Sequence, residues 1–325
     1  MSVKIEEITA NKANTSLVRA VLRPTVYFDF KKSLEFIKES GANDKADRID
    51  SANPLLERAI LLEGKPFLVR LSPLNQTIDA PTLQLELQAD DETENPPTEA
   101  AIEGAAEWAN RRFFLDVNME EVKEAIAVNE FGEQLVNRFF PARPVNLSNA
   151  WDGLLRTVIA NQIFPGLAAR LQQSLLDLYG KIARFDGKEY RFFPSPEKII
   201  TIAPDELTAM KFSRQKASFL PGIAHKLLDE PDKYNFERLR LLPAEETVSI
   251  LDELPGVGAW TAQYVAMRGL PHKDVFINEA GLRKALAANY DRRAESEEGM
   301  ATLTKVFSPY RSFACYYTYM FMYSA

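Results

Sequence analysis

The sequence holds a single cysteine, Cys315, and only two histidines, His225 and His272, in 325 residues. One cysteine excludes an internal disulfide and a cysteine-ligated iron–sulfur cluster, and so few histidines argue against a His/Cys zinc site. No apolar run approaches the roughly 18 residues needed to span a bilayer, and the opening Met1-Ser2-Val3-Lys4-Ile5-Glu6-Glu7 is not an apolar signal segment. The expectation is a cytoplasmic protein with no disulfide, no membrane contact, no cofactor and no side-chain metal site. An excess of positive charge is also missing: 39 Lys and Arg face 46 Asp and Glu, a net charge of −7. Phosphate attracts basic surfaces, so this balance speaks against a nucleic-acid partner at first sight. The charge is unevenly placed, however. Residues 1–150 sum to −8 and residues 151–325 to +1, so the acidity belongs to the first half.

What is present is ordinary globular composition, 46% hydrophobic and 26% charged, and the length suits about two domains. The first part reads as mixed α/β. Val18–Arg23 suits a strand, Ala59–Leu71 suits two strands about a short Gly-containing turn, and Leu83, Leu85 and Leu87 alternate with polar residues as a third half-buried strand. Phe30, Leu34 and Ile37 share a helical face, with Gly41 as its stop. The run Asp90-Asp91-Glu92-Thr93-Glu94-Asn95-Pro96-Pro97 reads as a solvated acidic loop. From about residue 99 the pattern turns helical, over about 99–111, 119–128, 149–161, 164–180, 204–211, 213–228, 244–253, 259–268 and 279–288. Ser213 is an N-cap, Pro221 is expected to kink or interrupt its helix, and Arg184–Phe192 reads as a hairpin about Asp186-Gly187.

The stretch that carries chemistry is Leu254-Pro255-Gly256-Val257-Gly258-Ala259-Trp260-Thr261-Ala262. A helix entering from Pro243 stops at Leu254-Pro255 and a new one begins after Gly258. Two glycines one residue apart allow a tight turn and leave amides unobstructed at a helix start, where unpaired N–H groups and the positive dipole end favour an anion. Such amides hold a phosphate without Lys or Arg, which answers the objection from net charge. A bare Gly-x-Gly is only a turn between helices; the longer pattern favours the functional alternative.

On these residues, together with Asn161-Gln162-Ile163, Ser213-Arg214-Gln215-Lys216-Ala217, Asp274-Val275-Phe276 and Ser308-Pro309-Tyr310-Arg311-Ser312, the sequence resembles the helix–hairpin–helix (HhH-GPD) DNA glycosylases, most of all the 3-methyladenine DNA glycosylase II type. The resemblance covers most of the chain and is strongest over residues 250–286. It implies an α+β fold: an N-terminal α/β lobe with an antiparallel sheet over residues 1–117, then a helical region over 118–325. A cleft would lie between one lobe of about 147–270 and another built from 118–146 and 271–325. It also implies double-stranded damaged DNA as partner, a DNA-associated monomer, and excision of alkylated bases by nucleotide flipping.

Family members with lyase activity carry a lysine two residues after the second hairpin glycine. That position here is Trp260, so the resemblance implies a monofunctional hydrolase. The similar family segment ends in a catalytic Asp before Leu-Gly-Leu-Arg. Aligning Gly281-Leu282-Arg283 puts Glu279 at that position, with a loop one residue shorter, no proline after Phe276, and Asp274 as the fallback acid. Glu279 could instead only favour the first turn of the next helix through the dipole. The chemistry needs a carboxylate because breaking an N-glycosidic bond builds positive charge on the sugar. Alkylation makes the purine cationic, a better leaving group that prefers aromatic faces. By resemblance those faces are Trp260, Tyr264 and Tyr319, with Phe36 reaching in from the first lobe, and helix packing is the plain alternative for each. Gln162, with Asn161 beside it, takes the wedge position that fills the stack left by a flipped base. Two other outcomes stay open: a DNA-binding relative that has lost the acid, and a glycosylase for a different damaged purine.

Overall fold

The computed structural model describes residues 4–10, 16–40, 46–75, 77–93 and 96–323. Met1-Ser2-Val3, Gly41, Glu94 and Asn95 lie outside the described residues. The chain divides into two compact units. One is built from Met1–Asn146, Ala183–Tyr190 and Asn278–Ala325, the other from Leu147–Ile182 and Arg191–Ile277.

The first unit carries a six-stranded antiparallel sheet of β1 (Lys4–Ala10), β2 (Leu17–Arg23), β3 (Arg48–Asp50), β4 (Leu55–Leu62), β5 (Lys65–Pro73) and β6 (Leu83–Ala89), in the order β1-β2-β6-β5-β4-β3. The register follows the sequence alternation. Val18 pairs with Leu87, Ala20 with Leu85 and Leu22 with Leu83, while Val69 and Leu71 meet Leu87 and Leu85 from the other side. All of these are buried on one face, as a period of two requires. Helices Phe30–Ser40 and Glu99–Phe113 cover that face. The second begins where the Thr98 side chain accepts from the Ala101 amide at 3.2 Å, and its Ala101, Ala105, Ala106 and Ala109 let it lie close on the strands.

On the opposite face, Glu57 of β4 and Arg70 of β5 pair across the strands at 2.8 Å. This face receives the hairpin of β7 (Lys181–Phe185) and β8 (Lys188–Phe192), whose Asp186-Gly187 turn takes φ of 52° and 73°, as a two-residue hairpin loop demands. Tyr190 donates its hydroxyl to Glu57 at 2.7 Å, Gln88 donates to Asp186 at 2.8 Å, and the Arg48 guanidinium lies over the Tyr190 ring. Burial alone would raise the Glu57 carboxyl, but hydrogen bonds from Tyr190 and Arg70 outweigh it and hold the group below the usual range. Burial and the bond to Glu57 push the Tyr190 phenol up to about 12. Asp91 accepts from the amides of Asp186 and Gly187 at 2.9 Å each. The acidic run is therefore more than a solvated loop: Asp91 fastens the hairpin turn.

The remaining helices of this unit are Met119–Ile126, Glu130–Phe139, Ala280–Asn289, Glu297–Thr304 and Arg311–Tyr323. The second unit contains Ala150–Ala160, Pro165–Tyr179, Pro196–Ile199, Pro204–Ala209, Arg214–Asp229, Phe236–Leu241, Ala244–Asp252 and Ala259–Tyr264, the last running into a π-helical turn at Val265–Gly269. The expected single helix over 259–268 thus changes type at Val265, where the Leu270 amide reaches back to the Val265 carbonyl at 2.9 Å. The expected interruption at Pro221 is also corrected: the helix from Arg214 to Asp229 continues through it.

Deep in the first unit, the carboxylate of Asp47 is shared by two buried guanidiniums, Arg58 at 3.4 Å and Arg112. None of the three side chains is more than 5% exposed. Removing a negative charge that lies between two buried cations is costly, because it takes away the attraction that offsets their desolvation and mutual repulsion. Asp47→Asn is expected to lower the unfolding free energy by about 3–5 kcal/mol, read as a shift of the urea midpoint at unchanged slope.

Candidate active site and nucleic-acid interface

In the second unit, Leu254 and Val257 are buried and anchor the Leu254–Gly258 turn, closed by a 3.0 Å bond from the Val257 amide to the Leu254 carbonyl. The turn rests on the helix Arg214–Asp229. Pro255 occupies the space over Gly222, where an added Cβ would approach its ring to 3.3 Å. Gly256 takes φ +74°, and a Cβ there would fall 2.2 Å from the Phe219 ring. The two glycines therefore differ. Gly256 is required by conformation and by contact, whereas Gly258 is extended at φ −112° and ψ 176°, with open space where a Cβ would project. Gly258 is the N-cap of Ala259–Tyr264, and both Gly258 and Ala259 are exposed. Thr261 points the other way. It is buried, and its hydroxyl accepts from Asn161 at 3.0 Å.

Trp260 and Tyr264, one helical turn apart, stack with centroids 5.3 Å apart and planes at 23°, so they share a face as their spacing requires. The Arg268 guanidinium lies 5.7 Å from the Tyr264 centroid, from the π-helical turn. Asn161 ends the helix Ala150–Ala160 and turns inward to Thr261. Gln162 is exposed and takes the left-handed φ of 58°, strained for a residue with a side chain. Asp274 is half-buried in the loop that follows His272. His272 itself is buried beside the Leu239 carbonyl at 3.1 Å, and burial lowers its pKa, while His225 is an exposed helix residue.

In the first unit, Glu279 stands just before the helix Ala280–Asn289 without capping it by side chain. Its carboxylate instead accepts the Tyr319 hydroxyl and folds over Gly281, with Oε1 3.4 Å from where a Cβ would stand. Arg283 donates to the Asn278 side chain and so ties down the residue before Glu279. Two of the residues picked from sequence, Glu279 and Tyr319, are thus joined directly. Phe36 is buried and packs edge-on against Tyr316 at 5.0 Å, and against Tyr323, both on the helix that carries Tyr319. Sequence reasoning passed over Lys216 and Phe164. The signals were there, a lysine one turn into a capped helix and an aromatic residue preceding the Pro165 that opens the next. Among the described residues, no group of three or more His, Cys, Asp or Glu is placed to hold a metal ion, and no helix is long and apolar enough to cross a membrane.

No protein-family model matches the chain. In sequence the chain is similar to proteins named DNA-3-methyladenine glycosylase, and in fold to solved DNA glycosylases. It is 24% identical over 220 residues to the DNA-3-methyladenine glycosylase of Bacillus subtilis (strain 168), covering 67% of this chain and 70% of that protein. It is 29% identical over 137 residues to DNA-3-methyladenine glycosylase 2 of Escherichia coli (strain K12), covering 42% of this chain and 46% of that one, so it matches less than half of that relative's length. The solved 3-methyladenine DNA-glycosylase from Archaeoglobus fulgidus superposes with a TM-score of 0.74 at 22% identity, over 93% of this chain and 97% of its own. The Clostridium acetobutylicum 8-oxoguanine glycosylase/lyase does so with 0.69 at 16% identity, over 99% and 100%. At these identities the structural likeness shows the fold.

The unequal demands on the two glycines give a stability test. Gly256→Ala is expected to destabilise by well over the ~1 kcal/mol of a left-handed Ala, because the methyl also collides with Phe219. Gly258→Ala is expected to stay within about 0.5 kcal/mol of wild type. Thermal denaturation of both variants measures the difference.

Proposed function

We propose that this chain is a monofunctional DNA glycosylase that hydrolyses the N-glycosidic bond of alkylated purines of the 3-methyladenine type in base-excision repair. Its substrate would be damaged double-stranded DNA, bound by a monomer inside the cell. The observation that carries the proposal is the half-buried Glu279 carboxylate, which leaves the helix end uncapped and is oriented by the Tyr319 hydroxyl. The kinship of sequence with enzymes named for 3-methyladenine supports the substrate class.

Each part then has a chemical task. As the C1′–N bond lengthens, positive charge grows on the sugar, and the Glu279 carboxylate stabilises it and orients or deprotonates the attacking water. The bond electrons leave with the base. An N3- or N7-alkylated purine already carries positive charge, so it departs neutral without a strong general acid. Aromatic faces such as the stacked Trp260 and Tyr264 suit a cationic planar base. The helix start at the exposed Gly258 and Ala259 suits a backbone phosphate, which a chain of net charge −7 needs in place of a broad basic surface. With Trp260 where lyases have lysine, no amine is offered for a Schiff base to the sugar.

Single-turnover release of 3-methyladenine and 7-methylguanine from duplex DNA tests the proposal. Glu279→Gln is expected to retain DNA affinity and lose about 10²–10³ in rate, with Asp274→Asn affected much less. The opposite pattern would assign the acid to Asp274, and no release by wild type would overturn the glycosylase reading. Borohydride should trap no protein–DNA adduct during turnover. Gly258→Asp, which places a carboxylate in the open space before the helix, should weaken binding to all duplexes alike. Unchanged affinity in the folded variant removes the hairpin from DNA docking.

A further inference from the structure

The turn Asn161–Phe164 is braced from two sides. From one side, the ammonium of Lys216 donates to three carbonyl oxygens at once, of Val158 at 2.9 Å, Ile159 at 2.7 Å and Asn161 at 2.7 Å. These lie at the C-terminal end of the helix Ala150–Ala160, where carbonyls lack intrahelical partners and the dipole end is negative, so a cation is the fitting cap. From the other side, Asn161 donates to the buried Thr261 hydroxyl at 3.0 Å. Directly after these fixed points Gln162 takes φ 58°, and on the far side of the turn Pro165 fixes the start of the next helix. The product of this bracing is Phe164, whose residue is 84% exposed. A fully wet phenyl ring on a turn restrained at both ends does not contribute to the core of its own unit.

We propose that Lys216 is a positioning residue for strand opening: it holds the Asn161–Phe164 turn rigid so that the Phe164 ring, rather than the Gln162 amide alone, occupies the space left when a base leaves the stack. This rests on the glycosylase reading above. A planar apolar ring recovers stacking that water and a flexible amide do not, and sequence-tolerant stacking of bases on aromatic side chains is a general mode of nucleic-acid binding. Rigidity matters because a mobile turn would lose conformational freedom on insertion, whereas a preformed one has already lost it on folding. Lysine suits the task better than arginine, since its three donors converge from one point on three carbonyls, while a guanidinium spreads its donors in a plane.

The experiment compares single-turnover excision of one lesion in two settings, a fully paired duplex and a short unpaired bubble in which the stack is already open. Lys216→Met and Phe164→Ala are each expected to lose about tenfold or more in the duplex and to be nearly normal in the bubble, where opening is cheapest. A merely structural lysine would lower both rates together. Equal losses in the two settings, or a loss for Phe164→Ala with none for Lys216→Met, overturn the proposal. Phe164 lies on the surface, so Phe164→Ala carries the test even if Lys216→Met fails to fold, and equal rates for it in both settings are also a refutation. If wild type excises from neither substrate, the failure is that of the glycosylase reading. Wild-type excision from the bubble but not from the duplex also overturns the brace, because strand opening is then absent with the brace intact.

Discussion

The backbone of the hairpin lies against the Phe219 ring with no room for even a methyl group between them, and most of the second unit's candidate chemistry follows from that contact. Phe219 and Gly222 are one turn apart on the helix Arg214–Asp229, so they share a face. The ring fixes Gly256, and the bare backbone of Gly222 admits Pro255. With those two residues seated, the direction of the helix beginning at Ala259 is set. Its buried side reaches Asn161 through Thr261, and its other side stacks Trp260 on Tyr264. The same helix Arg214–Asp229 supplies Lys216, one turn before Phe219, to the carbonyls of Ala150–Ala160. One helix therefore positions both the hairpin and the turn at Asn161–Phe164.

The acidic site is built by a different device. Glutamate is a longer side chain than aspartate, and Glu279 uses the extra length to fold back over Gly281 and meet Tyr319 from the C-terminal helix. The Met322 side chain leaves little space there: a Cβ added to Gly281 would lie 3.0 Å from the Met322 methyl. Gly281, two residues after Glu279, thus leaves room for the Glu279 carboxylate and for the helix Arg311–Tyr323.

Legibility in the sequence tracked how local the cause was. Strands β2, β4, β5 and β6 announced themselves by alternation or by a Gly turn, and the Asp186-Gly187 hairpin by its dipeptide. The helix Glu130–Phe139, which is not among the elements expected from sequence, has Phe131, Leu135 and Phe139 at intervals of four residues and contains Gly132. In the fold that glycine is a point of close approach, where a Cβ would sit 1.8 Å from the Ile126 carbonyl oxygen. Pro221 reads as a kink or interruption, yet it lies inside a helix that runs on to Asp229, where the neighbouring Gly222 seats Pro255. The charged β1 and the three-residue β3 lack an alternating apolar face. At the site, the hairpin and the Trp260–Tyr264 face were readable because their parts are adjacent in sequence. Glu279 and Tyr319, forty residues apart, are singled out only through family resemblance and for separate tasks; neither their hydrogen bond nor the triple contact of Lys216 follows from any sequence pattern. An ammonium that caps carbonyls more than fifty residues away leaves no periodic trace.

A phenyl ring left almost wholly in water also has a colloidal consequence. Two molecules meeting at Phe164 could hide both rings from solvent, and an exposed aromatic is in this sense an invitation to self-association. The net charge of −7 opposes it, since every encounter between two copies is an encounter between like-charged bodies. That protection reaches only as far as the screening length, about 8 Å at physiological ionic strength. The acidity belongs to residues 1–150, whereas Phe164 stands in the stretch that sums to +1, so at contact range the net charge does little to keep two such rings apart.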